Sequence, residues 1–476
     1  MKRPHKILSI VAGVLLVAVV ATVLGLVAYS HSAAFRAKVQ AAASRGMGMQ
    51  VSLDGPLHIG LFPSPNITLE SLRVQNRGVD AGSVDQAYLR FRLWPLLHKD
   101  VELETVSLTR PRVLIRKGTD GVLDLLRSTP PVHIRPHGPI EVIATDGVVR
   151  YEDAKSGAWV EARGCDAKVH GVHTEAPDGR RALERLSFSG ADMTCKTVAA
   201  SKFTGTDLKV SAVAPGKGVY ALEPITLQAF GSEATGSFHA DLTGGQDSYA
   251  ADLKVVGVQV ARILQDSGIR PFAAGRVDLA GHITSQGRSH QELLQSVQGK
   301  VAFHGSDVTL QGYDIDKELT RFERTQRFDL ADLLGLFVLD GAGLLATKGY
   351  DYATLISKRR GGVSHIHVAV ADLDVSKGVV SAQDVAMSTD THRIAAQGKL
   401  DIPTEDFDHV NLGLVDAKGC VIAEVDVSGS IRKPKLQKPG IVKTLAGPVR
   451  SIAHKGEDLF TKKGCPVFYD GSVKPY

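Results

Sequence analysis

A chain of 476 residues is longer than one ordinary globular domain takes, and with 43% hydrophobic and 22% charged residues it is neither disordered nor polytopic. The net charge of +5 is small for that length, and no aromatics interleave with the basic residues as nucleic-acid stacking requires, so no nucleic-acid partner is expected.

Residues 1–6 carry Lys2, Arg3 and Lys6 and precede an uncharged apolar run, Ile7 to Tyr29. At helical rise that run covers the roughly 30 Å hydrocarbon core of a bilayer. Only Arg36 and Lys38 follow it closely, so the positive-inside bias puts the N-terminus in the cytoplasm and the bulk of the chain across the membrane. Ala28-Tyr29-Ser30 is compatible with signal cleavage, but the run is longer than a signal-peptide core, which favours an uncleaved anchor. No second run is long enough to span, and a single pass is expected.

Residues 30–48 continue as a helical linker, and from Met49 the period changes. Val51, Leu53, Leu57 and Ile59 alternate with polar or small residues. Ile67, Leu69, Leu72 and Val74 do the same with one slip, and the segment Val84 to Trp94 alternates again. Period two marks strands with one apolar and one polar face, and Asp54-Gly55, Asp120-Gly121 and Asp146-Gly147 supply hairpin signals. This texture fills 49–256. The stretch 257–336 reads as a helix-containing middle, with helices over Val258–Ser267, Ser289–Val297 (Ser289 as N-cap) and Asp314–Leu336. Strands return over 337–434. The tail 435–476 includes a kinked helix over Ile441–Phe460, broken at Gly447-Pro448. The basic residues Arg432, Lys433, Lys435, Lys438, Lys443, Lys462 and Lys463 read as a solvated face.

Cys165, Cys195, Cys420 and Cys465 are even in number on the oxidising side of a membrane, which suggests disulfides. Chain order suggests Cys165–Cys195 and Cys420–Cys465, with the connectivity open. The second pair would staple the tail to the last strands, with Phe468 and Tyr469 as packing anchors.

No catalytic motif is complete, and neither an enzyme nor a cofactor or metal site is expected. Gly190-Ala-Asp-Met-Thr-Cys-Lys-Thr197 has Cys195 where a P-loop needs its second glycine. His365 and His367 share a strand face but lack a third ligand. Asp314, Asp316 and Glu318 fit a helix N-terminus. Asn66-Ile-Thr68 is a glycosylation sequon by pattern only.

Four patches in order along the chain carry a common pattern. The first is Met49-Gln-Val-Ser-Leu-Asp-Gly-Pro-Leu-His-Ile-Gly-Leu-Phe-Pro-Ser-Pro-Asn-Ile-Thr-Leu behind a single span, followed by Leu72-Arg-Val-Gln-Asn76. The second contains Gly299, Phe303, Gly312 and Asp314, and the third runs from Asp374 to Asp401, with Ala396 in place of a family glycine. The fourth is Cys465-Pro-Val-Phe-Tyr-Asp-Gly-Ser-Val-Lys-Pro475. Together the four patches resemble the AsmA family of Gram-negative envelope proteins; the Cys165–Cys195 stretch and Asp329–Ile356 fit no part of that pattern.

The resemblance implies a mainly β protein: a transmembrane helix, then an elongated, curved antiparallel β-sheet forming a hydrophobic groove, with a few short helices. It also implies binding of lipid acyl chains and support of phospholipid transport between inner and outer membranes. The expected setting is the bacterial inner membrane with the bulk of the chain periplasmic, with membrane phospholipids and an outer-membrane or periplasmic protein as partners. The alternative is a non-enzymatic scaffold for outer-membrane protein assembly or secretion. Candidate groove positions are Val51, Leu53, Leu57, Ile59, Ile67, Leu69, Leu89, Phe91 and Leu93.

Overall fold

A computed structural model describes residues 32–60, 62–76, 78–97, 102–119, 138–174, 186–200, 203–216, 218–266, 270–325, 361–431, 433–436, 465 and 467–476. The anchor Ile7–Tyr29, residues 1–6, the segment Ile441–Phe460 and the basic residues Arg432, Lys438, Lys443, Lys462 and Lys463 lie outside the described residues. Among the described residues no helix is long and apolar enough to cross a membrane. The chain divides into two compact units between Ile225 and Thr226, inside strand β11 (Val219–Ala229).

Unit 1 opens with α1 (Ala33–Met47), an alanine-rich helix. Ser32 caps it by accepting a hydrogen bond from Phe35 N, and Gly48 ends it at φ 66°, a left-handed conformation that glycine adopts without a Cβ clash. β1 (Gln50–Leu53) and β2 (Leu57–Gly60) form one interrupted strand, both antiparallel to β3 (Asn66–Asn76). β4 (Val79–Phe91) lies on the far side of β3 and leads into the short helix α2 (Leu93–Leu97). β5 (Leu103–Thr109) pairs antiparallel with β4.

β5 and β6 (Arg112–Lys117) both pair parallel with β7 (Ile140–Asp153). The expected all-antiparallel sheet is therefore corrected to a mixed one. The segment 118–139 is long enough to carry the chain back to the start of the neighbouring strand, which a hairpin cannot do. From β7 the sheet is antiparallel through β8 (Trp159–Thr174), β9 (Leu186–Ala200) and β10 (Phe203–Gly216).

The slip between Leu69 and Leu72 has a backbone cause. Ser71 sits at φ 53°, and the alternation steps over it. Ile67, Leu69, Leu72 and Val74 consequently pack in one cluster although the spacing changes parity. Asp207 in β10 does the same at φ 54°, with Gly205 less exposed before it and Leu208, Val210 and Ala212 after it. Arg110, Asp146 and Gly164 also have positive φ. Asp85, opposite Ser71, pairs with Arg110 at 2.7 Å.

Unit 2 is an antiparallel meander. Its strands are β12 (Ser232–Asp241), β13 (Ser248–Gln259), β14 (Ala273–Gln286), β15 (Gln298–Gln311), β16 (Val363–Ser376), β17 (Val379–Thr389), β18 (Arg393–Asp401), β19 (Asp406–Val415), β20 (Val421–Ser430) and β21 (Lys433–Leu436). Each pairs with the next in sequence. Short helices interrupt it: α3 (Val260–Asp266), α4 (His290–Ser296) and α5 (Ile315–Thr325). They fall where helical spacing predicts them, but β14 and β15 fill the space between. Ser289 and Glu292 form a reciprocal capping box on α4. Residues 326–336 of the predicted third helix lie outside the described residues.

Candidate functional site

Cross-strand partners in an antiparallel sheet share a face, so the registers sort β12–β16 by side. One side carries Ala234, Val255, Leu279, Phe303 and Ala371 in one row. The next row is Gly236, Leu253, Gly281, Val301 and Leu373. Phe238 and Ile283 extend it, and the Phe238 ring lies 6.2 Å from that of Tyr249. The other side carries Ser237, Asp252, His282, Lys300 and Asp374 in a single row, with Thr235, Lys254 and Asp372 in the next.

The polar side is tied by its own contacts. His282 Nδ1 lies 2.7 Å from Asp252, Ser237 donates to Asp252 at 3.0 Å, and Lys300 stands 3.7 Å from Asp374. Hydrogen bonds from His282 and then Ser237 hold the Asp252 carboxyl below its ordinary range. The apolar side is only partly covered: Leu253 is 45% exposed, and Leu279, Val301, Phe303 and Leu373 are intermediate. None of these belongs to a buried core cluster among the described residues.

Unit 1 repeats the pattern. Ala167, Met193 and Val210 form one row, and Lys168, Asp192 and Ser211 the adjacent row on the opposite face. The Ser211 hydroxyl donates to Asp192 at 2.7 Å.

The apolar faces are roofed elsewhere. In unit 1, Val51, Leu53, Leu57 and Leu69 are buried in one cluster, with Ile59, Ile67, Leu89 and the α1 residues Phe35, Val39 and Ala43 packed against it. Seven of the nine predicted groove positions are thus gathered on one face, in a core that includes residues of α1. Phe91 is half-buried outside that cluster. Leu93 is corrected from a strand position: it opens α2 and is 54% exposed. Pro95, two residues on, suits the first turn of a helix and ends the strand pattern.

In unit 2 the apolar face continues from Ala371 to Ala369, which packs against a closed core. There Ile315 and Leu319 of α5 meet Ile366, Met387, Ile394, Leu412, Leu414, Val425 and Val427, all buried. The first turn of α5 is clamped down. The Asp316 carboxylate accepts hydrogen bonds from Thr389 (2.6 Å) and Thr391 (2.8 Å) and meets His392 Nδ1 at 2.6 Å. Burial pushes that carboxyl up, but the bonds from His392, Thr389 and Thr391 outweigh it and hold it at about 2. Asp314 Oδ1 accepts from Lys317 N at 2.9 Å, as an N-cap residue does.

The other side of β16–β18 is covered by the C-terminal tail. Tyr469 and Val473 are buried against Ala386, Ala395 and Val415, with Phe468 alongside. The Tyr469 hydroxyl donates to Asp384 at 2.5 Å, and Arg393 donates to Val473 O at 3.0 Å and Asp416 O at 2.6 Å. Burial and the Asp384 carboxylate push the Tyr469 hydroxyl up to about 12. Cys420 and Cys465 form the disulfide that ties this tail, and Cys165 joins Cys195 directly across the β8–β9 ladder.

The remaining motifs fall into the framework. Gly190–Thr197 is extended strand within β9, not a strand–loop–helix turn. His367 sits 2.6 Å from Asp390 and stacks on Tyr476, while His365 is exposed. Among the described residues no group of histidines, cysteines and carboxylates stands ready to hold a metal ion. The open rows of β12–β15 are absent from the predicted groove positions. Their signal was alternation of small or apolar residues with Asp, Lys and His, spread too evenly to single out a site.

The AsmA family model matches residues 1–129, and this supports assignment of the chain as AsmA-like. No curated protein matches the chain.

Proposed function

We propose that this chain binds lipid acyl chains along its open apolar faces and supports phospholipid transport between the inner and outer membranes. In this reading Ile7–Tyr29 anchors the protein in the inner membrane and the two β units work in the periplasm. No covalent bond is made or broken, and no cofactor takes part. The observation that carries the reading is the row structure of β12–β16. One side is charged and internally paired; the other is continuous, apolar and only partly covered. An apolar strip of that kind is sheltered best by an apolar ligand. AsmA-like character over residues 1–129 agrees with it.

The scaffold reading would use β-augmentation at a sheet edge. β21 is a four-residue strand carrying Pro434 and an exposed Lys435, and such residues guard an edge against added strands. That weighs toward lipid.

The test is site-specific photocrosslinking in the full chain. A photoreactive residue at Leu253 or Leu279 is expected to yield lipid adducts by mass spectrometry, and one at Lys254 or His282 none. Equal adducts from both faces, or none from Leu253 and Leu279, would sink the proposal.

A further inference from the structure

One end of unit 1 is built unlike the rest. β3 begins where β4 ends, with Asn66 opposite Arg90. The segment Phe62–Pro65 before β3 and the helix α2 after β4 therefore leave the sheet side by side. The amide of Phe91 ties them, donating to Pro65 O at 2.9 Å. Both segments are apolar and carry proline: Phe62-Pro-Ser-Pro65 and Leu93-Trp-Pro-Leu-Leu97. Phe62 is 92% exposed, Trp94 74% and Leu93 54%. Large apolar side chains set out together on a tip mark an interaction surface, and Trp and Phe suit the membrane–water interface.

The direction of α1 says which surface. β1 starts at the Asn76 end of β3, and with β2 it runs to the Asn66 end. After the Gly48 reversal, α1 lies back over the same cluster. Ser44 Oγ accepts from Val51 N at 3.0 Å, and Phe35, nine residues earlier, still packs in that cluster. At about 1.5 Å per residue the first turn of α1 is thereby carried toward the Asn66 end. The chain that enters there is residues 1–31, containing the uncharged run Ile7–Tyr29.

We propose that the tip formed by Phe62, Leu93 and Trp94 docks on the surface of the bilayer that Ile7–Tyr29 enters, fixing unit 1 against the lipid. The inference rests on that run being a membrane span; it does not depend on the cargo of the open faces. Arg90 pairs with Glu104 at 3.2 Å and Arg92 with Glu102 at 3.5 Å. With those charges compensated, apolar contact drives the docking, and zwitterionic lipid suffices.

The chain has two tryptophans, Trp94 and Trp159, which makes fluorescence the direct test. Full-length protein is placed in phosphatidylcholine nanodiscs, with or without bromine on the acyl carbons nearest the headgroup. In Trp159→Phe the remaining Trp94 emission is expected to fall roughly twofold in brominated discs. In Trp94→Phe the Trp159 emission is expected to hold. Phe62→Asp with Leu93→Asp, both at exposed positions where the fold has little to lose, should abolish most of the Trp94 quenching while the protein stays in the disc. If Trp159→Phe folds poorly, the wild type and Trp94→Phe give the same comparison. Trp94 shielded but unquenched, as a second copy or protein partner on the tip would leave it, overturns the proposal. So does quenching that survives the double substitution, or quenching of Trp159 as strong as that of Trp94.

Discussion

Within unit 2 one apolar face meets two fates. Over β12–β15 it is only partly covered among the described residues, with Leu253 at 45% exposure. Over β16–β20 it lies beneath α5, where Leu319, Val425 and Val427 are at 0%. The strands themselves do not differ in kind, since both regions alternate and both pair antiparallel. The difference is the roof. Alternation makes a face apolar, but whether that face is core or binding surface is decided by what the chain places over it.

Removing the roof's anchor should have the largest effect. Leu319→Ala is expected to cost about 3 to 4 kcal/mol in denaturant unfolding, since the side chain is fully enclosed. A cost like that of an open-face residue would erase the contrast. Replacing Cys420 and Cys465 with alanine should cost about 3 kcal/mol and loosen the tail from the Ala386–Ala395 face, read as faster hydrogen exchange there.

The Asp316 clamp gives an intermediate effect with a pH signature. Its carboxyl titrates at about 2 when folded against 3.8 ordinarily. A depressed value means the stabilisation is present above about pH 4 and is lost as pH falls toward 2, for a total of about 2 kcal/mol. Asp316→Asn should lower neutral-pH stability by that order and flatten the acid limb between pH 4 and 2. An unchanged acid limb would mean that α5 is held by Ile315 and Leu319 alone. The smallest stability effect is expected on the open face: Leu279→Ala should cost about 1 kcal/mol, because the side chain is only partly buried and belongs to no buried core cluster.

The local features were legible. The slip between Leu69 and Leu72 was visible as a break in period, and it falls at the positive-φ residue Ser71. Ser289 announced its helix through a capping residue three positions from Glu292. What failed was long-range. The parallel return of β5 and β6 onto β7 depends on where a long connection lands, which no residue in either strand encodes. Leu93 continued a period of two by coincidence across a helix start. Val51, Leu53, Leu57 and Leu69 carried the right pattern for a groove, but α1, read only as a linker, packs into their cluster. Composition identifies apolar faces, while assigning their covers takes three dimensions.

The positive-φ residues make the strands count modulo two. Ile67 and Leu69 lie on one side of Ser71, and Leu72 and Val74 on the other, yet all four share a face because one extra residue intervenes. Deleting Ser71 alone would leave a strict alternation in which those four still share a face, whereas deleting Arg73 would send Val74 to the other side. Asp207 stands in the same relation to Gly205 before it and Leu208 and Val210 after it, and there deleting Lys209 would send Val210 out. Related chains that share this fold should therefore tolerate gaps in their turns at any length, but inside these strands only in pairs or at the positive-φ residue itself.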